Sequence, residues 1–362
     1  MSTAPFAWMV GVALLTSPHA AAQDAPAAPE APGQARDFAE IYAPTPVTRA
    51  VERGIEFLSR TQLSDGSWIS PMGKNTGVVS LAVLSMLAAG HEPGRGKLGD
   101  TIDRAIGFIL KSEREGMIVT LDTSHGPMYE HGISTLLLGE VLGMVNEEKP
   151  GYEKLSRVHR SGVNLILRAQ NVPRDPSSSG GWRYTPSSVD ADLSVTGWQI
   201  LALRAAEDAG LAVPKRNMEQ ALHYVRRCAH PSGGFGYMPG GEPNIARTGT
   251  GILSLQIGGD FQSPEALRGG EWLLKNPIEW KGPFFYYAVY YSSQAMYQLG
   301  GAYWDRWRPR SEGLLLGEQR PDGSWPAPPN ETHEHQAGPA YTTAMAILSL
   351  TVDYKYLPIY QR

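Results

Sequence analysis

"RTQLSDGSW" occupies residues 60–68, and "GEQRPDGSW" occupies residues 317–325. Both write Gln, three residues, then Gly-Ser-Trp. A match of that length near opposite ends of one chain points to an internal repeat, and repeats decide the fold before any single element does. Related punctuation recurs between them, as "AQNVPRDPSSSGGWRY" at 169–184 and "HPSGGFGYM" at 230–238.

Each such turn follows a segment of amphipathic helical spacing and precedes a more apolar one. The amphipathic segments are "PVTRAVERGIEFLSRTQ", "DTIDRAIGFILKS", "YEKLSRVHRSGVNLILRAQ", "NMEQALHYVRRCAH", "SPEALRGGEWLL" and "DRWRPRSEGLLLGEQ". In the first, Ala50, Ile55, Phe57 and Leu58 share one face, while Arg49, Glu52, Arg53 and Glu56 lie largely elsewhere. The segments that follow are "GVVSLAVLSMLAAG", "GISTLLLGEVLG", "SVTGWQILALRAAEDAG", "GTGILSLQIGG", "YYSSQAMYQLGG" and "YTTAMAILSL". These carry few charges and are apolar nearly all round, as buried helices must be. Six pairs at roughly fifty residues each must stack to bury their apolar members. An open stack needs polar end caps, and neither end supplies one. The expectation is an all-α fold: a single α6/α6 toroid over residues 38–362.

The chain has 362 residues, 42% apolar and 19% charged, with a formal net charge of −4. That balance, with no basic run, gives no reason to expect nucleic acid as a partner. A short apolar run at 6–15 followed by Ala20-Ala21-Ala22 reads as a signal peptide over residues 1–22, so export after cleavage near Ala22 is expected. Residues 23–37, rich in Ala and Pro, read as a disordered leader. No later stretch is long and apolar enough to span a membrane. Cys228 is the single cysteine, which excludes an internal disulfide and any multi-cysteine metal site.

In "RGIEFLSRTQLSDGSW", Arg53, Phe57, Leu58, Gln62, Gly66 and Trp68 resemble the QW motif of squalene cyclases and related triterpene cyclases. The copy at 310–325 keeps Gln319, Gly323 and Trp325, and those at 160–182 and near 221–235 are degenerate. The closing "DYKYLPIYQR" is similar to the C-terminal segment of squalene-hopene cyclase. The resemblance implies an α-toroid, an isoprenoid ligand and acid-initiated cyclisation or isomerisation. Its proton donor would sit in a D-x-D-D segment, and the comparable stretch here is "SVDADLSVTGWQILAL". Asp192 would then be the acid and Asp190 its electrostatic partner, although the second adjacent Asp of the motif is Leu193. The residue-level alternative is that Asp192 or Ser194 caps the helix beginning near Val195. A lone toroid also resembles the β subunit of protein prenyltransferases. The corresponding inner helices lack the Asp, Cys and His ligands, so no zinc and no other cofactor is expected.

Aromatic faces can stabilise a cation or hold an isoprenoid chain, which makes Trp198, Tyr286, Tyr287, Tyr290 and Tyr291 candidate ligand-lining residues. At helical spacing they equally suit a core. "DTSHGPMYEHGIST" brings Asp122, His125, Glu130 and His131 together, and "NETHEHQAG" brings Glu331, His333, Glu334 and His335. His125, His131, His333 and His335 are therefore candidates for one rim of the ring, with solvated loop groups as the plainer reading. Two further functions stay open. One is a non-catalytic protein-binding toroid, whose partner subunit the sequence does not identify. The other is a glycan-active α6/α6 enzyme, which the His-rich stretches and Trp182, Trp198, Trp280 and Trp304 keep in play.

Overall fold

The computed structural model describes residues 44–120 and 126–361. The expected signal peptide, the leader, the start of the expected domain, Asp122 and His125 lie outside the described residues. Among the described residues, twelve α-helices alternate outer and inner along the chain. The pairs are α1 (Pro46–Thr61) with α2 (Thr76–Ala88), α3 (Gly99–Lys111) with α4 (Pro127–Met144), and α5 (Tyr152–Gln170) with α6 (Leu193–Asp208). They continue as α7 (Lys215–Arg227) with α8 (Ile245–Ile257), α9 (Pro264–Lys275) with α10 (Phe285–Leu299), and α11 (Gly301–Glu318) with α12 (Thr332–Leu350). A two-residue hairpin pair, Glu113–Arg114 and Met117–Ile118, is the one sheet among the described residues. The even-numbered helices pack consecutively, and α12 packs on α2, so the ring closes into an α6/α6 toroid.

Burial follows the sequence pattern. Every residue of α2 is buried, whereas α1 buries only the face carrying Ala50, Val51, Gly54, Ile55, Phe57 and Leu58. The repeated turn shows what joins one pair to the next. Gln62 Nε2 donates to the carbonyl of Gly66 in its own turn (3.1 Å) and to that of Thr101 in the next outer helix, α3 (2.8 Å). Gln170 does the same with Gly180 (2.8 Å) and Asn217 of α7 (2.9 Å). Gln319 bonds Gly323 (3.0 Å) and Ala50 of α1 (2.8 Å), tying the last outer helix to the first. The tryptophan of each copy donates its indole N–H back to the preceding outer helix: Trp68 to Leu58, Trp182 to Ile166, and Trp325 to Leu315.

The turn glycine is required twice over. Gly66, Gly180 and Gly323 all have φ near +90°, and a Cβ there would lie 2.1–2.3 Å from a carbonyl oxygen of the next outer helix. Copy 160–182, degenerate by spacing, keeps the full geometry because its longer loop is absorbed between Gln170 and Gly180. The copy near 221–235 has no glutamine, yet Phe235 N donates to Thr248 Oγ1 just as Trp182 N and Trp325 N donate to Thr196 and Thr343.

All twelve expected segments are helical, and the differences lie at helix starts. α4 begins at Pro127 and takes in Glu130 and His131. α12 begins at Thr332 and bends at Gly338 (φ 82°) before Pro339, so "THEHQA" is helix rather than loop. At the opposite end, 3₁₀ turns at Val352–Tyr354 and Pro358–Tyr360 pack under α4, α6 and α10.

Two substitutions separate the turn's contributions. Gln319→Ala should lower unfolding free energy by about 1–3 kcal/mol, read as a shifted urea midpoint at unchanged slope. Gly323→Ala should cost more than Gly73→Ala, which meets only the left-handed penalty of about 1–2 kcal/mol in open space. Equal costs would mean that the approach to Arg53 is not tight.

Candidate active site

A cavity of about 640 Å³ lies on the ring axis where the inner helices begin. Every inner helix contributes to the wall from its N-terminal half, among them Val78, Ile133, Trp198, Ala246, Tyr287 and Tyr341. Tyr129, Tyr184, Tyr237 and Phe284 add aromatic surface. The size falls in the range of small-molecule sites, about 300–1,000 Å³. Burial pushes the Tyr287 hydroxyl up to about 12, so it is neutral around pH 7.

Two buried carboxyls face this space, and both cap a neighbouring helix. Glu130, 3% exposed, accepts from Thr76 N (2.9 Å), Thr76 Oγ1 (2.8 Å), Thr120 N (3.1 Å) and Thr120 Oγ1 (2.9 Å), all on Oε2. Glu334, 2% exposed, accepts on Oε1 from Tyr286 N (2.8 Å) and more weakly from Tyr287 N (3.4 Å). These bonds satisfy N–H groups that a helix start leaves without partners. Glu331 completes the cap of α10 by accepting from Phe284 N (2.9 Å). The second oxygens, Glu130 Oε1 and Glu334 Oε2, are buried with no hydrogen-bond partner. Burial raises Glu334 to about 8, with nearby Glu331 pushing the same way and the Tyr286 and Tyr287 N–H groups opposing. Its carboxyl is therefore mostly protonated at neutral pH.

The expected acid pair is placed elsewhere. Asp192 is fully buried and caps α6 through Val195 N (2.9 Å), its backbone being fixed by pairing with Trp182. Its Oδ2 makes no full hydrogen bond, with Arg183 Nε 3.8 Å away. Burial lifts it to about 6, and the bond to Val195 and the Arg183 charge work against that. Asp190 is half exposed and lies 3.3 Å from Arg183 Nε. Neither aspartate lines the cavity. Asp192 thus takes the helix-cap position that the sequence also allowed, and Asp190 pairs with Arg183.

Of the aromatic candidates, Trp198 and Tyr287 line the cavity, and Tyr286, Tyr290 and Tyr291 do not. Tyr286 turns outward and donates to Pro326 O (2.7 Å). Tyr290 stacks on Trp198 and bonds Tyr360 of the C-terminal turn (3.2 Å), while Tyr291 packs edge-on against both. These three are core, as helical spacing allowed. The histidines are also split. His131 is completely buried, accepting from Ile118 N (3.1 Å) and lying 3.1 Å from Gly162 O, and burial lowers it to about 4. It is a structural histidine rather than a rim group. His333 lines the cavity and stacks on Phe284, and His335 is exposed on the outer side of the same helix start. Glu130 and Glu334 stood in stretches read for their histidines. The missed signal was a lone acid within the first turn of an apolar, buried helix. Among the described residues, no cluster of His, Cys, Asp and Glu could hold a metal ion, and no helix is long and apolar enough to cross a membrane.

No protein-family model and no curated protein matches the sequence. Solved structures do. The type II terpene cyclase MstE from Scytonema is 14% identical, with a TM-score of 0.57 over 86% of this chain and 99% of its own. A variant of that cyclase, 13% identical with a TM-score of 0.56 over 85% of this chain and 97% of its own, was solved with its substrate, geranylgeranyl dihydroxybenzoate. The GH76A α-1,6-mannanase of Salegentibacter sp. HEL1_6 is 10% identical, with a TM-score of 0.60 over 84% of this chain and 98% of its own. The likeness shows the fold. Both neighbours are α/α-toroids, and at such identity neither transfers an activity.

The raised carboxyl has a consequence for stability. Glu334 holds its proton more tightly in the folded than in the unfolded chain, so unfolding free energy falls as pH rises from the ordinary 4.5 toward 8. Glu140, also raised to about 8 by burial, acts in the same direction. His131 and His159, both lowered to about 4, act oppositely but only below 6.5. Between pH 6.5 and 8 the unfolding free energy read from urea titrations should therefore drop, by at most about 1.4 kcal/mol per pH unit for each acid. Glu334→Gln should flatten that slope in part, whereas parallel slopes would show that Glu334 is already ionised.

Proposed function

We propose that the axial cavity binds an isoprenoid-class hydrocarbon and transforms it by proton transfer, as cyclisation or double-bond isomerisation. The observation that carries this is a carboxyl held neutral near pH 7 in the wall of a largely apolar and aromatic cavity. The Glu334 carboxyl gives its proton to the substrate, and a proton leaving a neighbouring carbon of the resulting cation returns to the carboxylate. Atoms balance as an isomerisation with no co-reactant. Faces of Trp198, Tyr287 and Tyr341 would stabilise the intervening positive charge. A buried acid with a pKa near 8 is a mild donor, so it suits an epoxide oxygen or electron-rich double bond better than a plain alkene. The terpene cyclase with the same fold and a geranylgeranyl substrate supports the ligand class.

Glycoside hydrolysis is the second reading, because two carboxyls, Glu130 and Glu334, face one cavity and a mannanase shares the fold. The walls favour the first: Val78, Leu81, Ile133, Ala246 and Ala337 offer a sugar ring no hydrogen bonds.

Purified full chain should convert a polyprenyl epoxide or prenylated phenol to a product of unchanged mass and altered chromatographic retention. Glu334→Gln keeps the acceptor for Tyr286 N but cannot donate an acidic proton. It should cut turnover by about 10²–10⁴-fold while still binding substrate. Turnover should also fall as pH rises through about 8, where the acid form is lost. Binding of α-1,6-mannotriose with no affinity for either isoprenoid would transfer the site to the glycan reading.

A further inference from the structure

Arg247 lies in the cavity wall and is poorly occupied by its own surroundings. It sits in the first turn of α8, its backbone N–H held by Asn244 Oδ1 at 2.8 Å. The guanidinium lies 5.2 Å from the Tyr237 ring centre, and one N–H reaches the Glu242 carbonyl at 3.3 Å. Tyr237 is itself fixed by hydrogen bonding to the Tyr184 hydroxyl. Arg183, on the same tyrosine pair, is committed to Asp190 and Asp192. Among the described residues Arg247 makes no ion pair. A half-buried guanidinium with one weak carbonyl contact has most of its five donors left over, and an anion is what those donors bind best.

Ring order adds the second observation. The inner helices follow as α2, α4, α6, α8, α10, α12 and back to α2, which puts α8 diametrically across from α2. Glu130, on α4, caps the start of α2 through one carboxyl oxygen and leaves the other unpartnered. The cavity is thus polarised, with a cation on one side, a carboxylate opposite and hydrocarbon between. An anion would be drawn to the α8 side and repelled from α2.

We infer that the cavity takes an amphiphile whose anionic head, a carboxylate or a phosphate, is held by Arg247 while its hydrocarbon body crosses the axis toward α2 and α12. This rests on the proposed function and narrows its substrate class.

Binding of four probes of equal chain length tests the inference: dodecanoate, dodecyl phosphate, dodecanol and dodecylammonium, each titrated into the full chain at pH 7 and followed by calorimetry. At least one anion should bind about tenfold or more tighter than dodecanol, and the tighter anion identifies the head group. Arg247→Met should remove that advantage and leave dodecanol affinity unchanged, which also shows that the variant is folded. Equal binding of anion and alcohol, strongest binding of dodecylammonium, or an advantage that survives Arg247→Met would overturn the assignment. Failure of dodecanol along with the rest would instead sink the apolar-cavity reading on which it rests.

Discussion

A glutamine amide that bonds two carbonyls at once, one in its own turn and one in the next outer helix, is the constraint on which this ring depends. Outer helices make few contacts with one another, so packing alone fixes their spacing poorly. The bonds from Gln62, Gln170 and Gln319 set that spacing. The turn glycine then allows the chain to pass within touching distance of the neighbouring backbone, where any side chain would collide. Gln319 ties the last outer helix to the first through Ala50, reinforcing the closure that α12 makes by packing on α2.

Closure creates the site. Six buried helices starting at one end of a ring leave many N–H groups facing a common axis, and the chain caps them in two ways. Asn75, Asp192 and Asn244 cap their own helices. Glu130 and Glu334 instead reach across to a neighbour, which leaves one oxygen of each buried without a hydrogen-bond partner. Capping and chemistry are therefore served by the same carboxyls. The other end has no such opening among the described residues: Glu140 accepts from Ile359 N, and Tyr360 meets Tyr290, so the C-terminal turns floor the ring.

The ring was legible in the sequence because both of its signals are local. Alternating amphipathic and apolar helices can be read residue by residue, and the Gln-to-Trp turn repeats in linear order. The site was less legible, since its residues are scattered over all six inner helices and the loops that precede them. Asp192 drew attention through its motif, and its side chain caps α6, a role its position before Leu193 equally allowed. Tyr287 and Tyr290 are three residues apart on α10, yet only the first reaches the cavity. The difference arises because Tyr290 lies one turn deeper, against Trp198. Glu334 was hidden by the break at Gly338-Pro339, which made a helical turn look like a loop.

The central claim is that a neutral carboxylic acid stands in the wall of an apolar cavity at physiological pH. Infrared difference spectroscopy of wild type against Glu334→Gln at pH 7 tests it most directly. The account predicts a protonated-carboxyl stretch that is present in wild type, absent in the variant, and lost on titration above about pH 8. A wild type showing only the carboxylate bands for this residue at pH 7 would contradict it, leaving Glu334 as a helix cap alone.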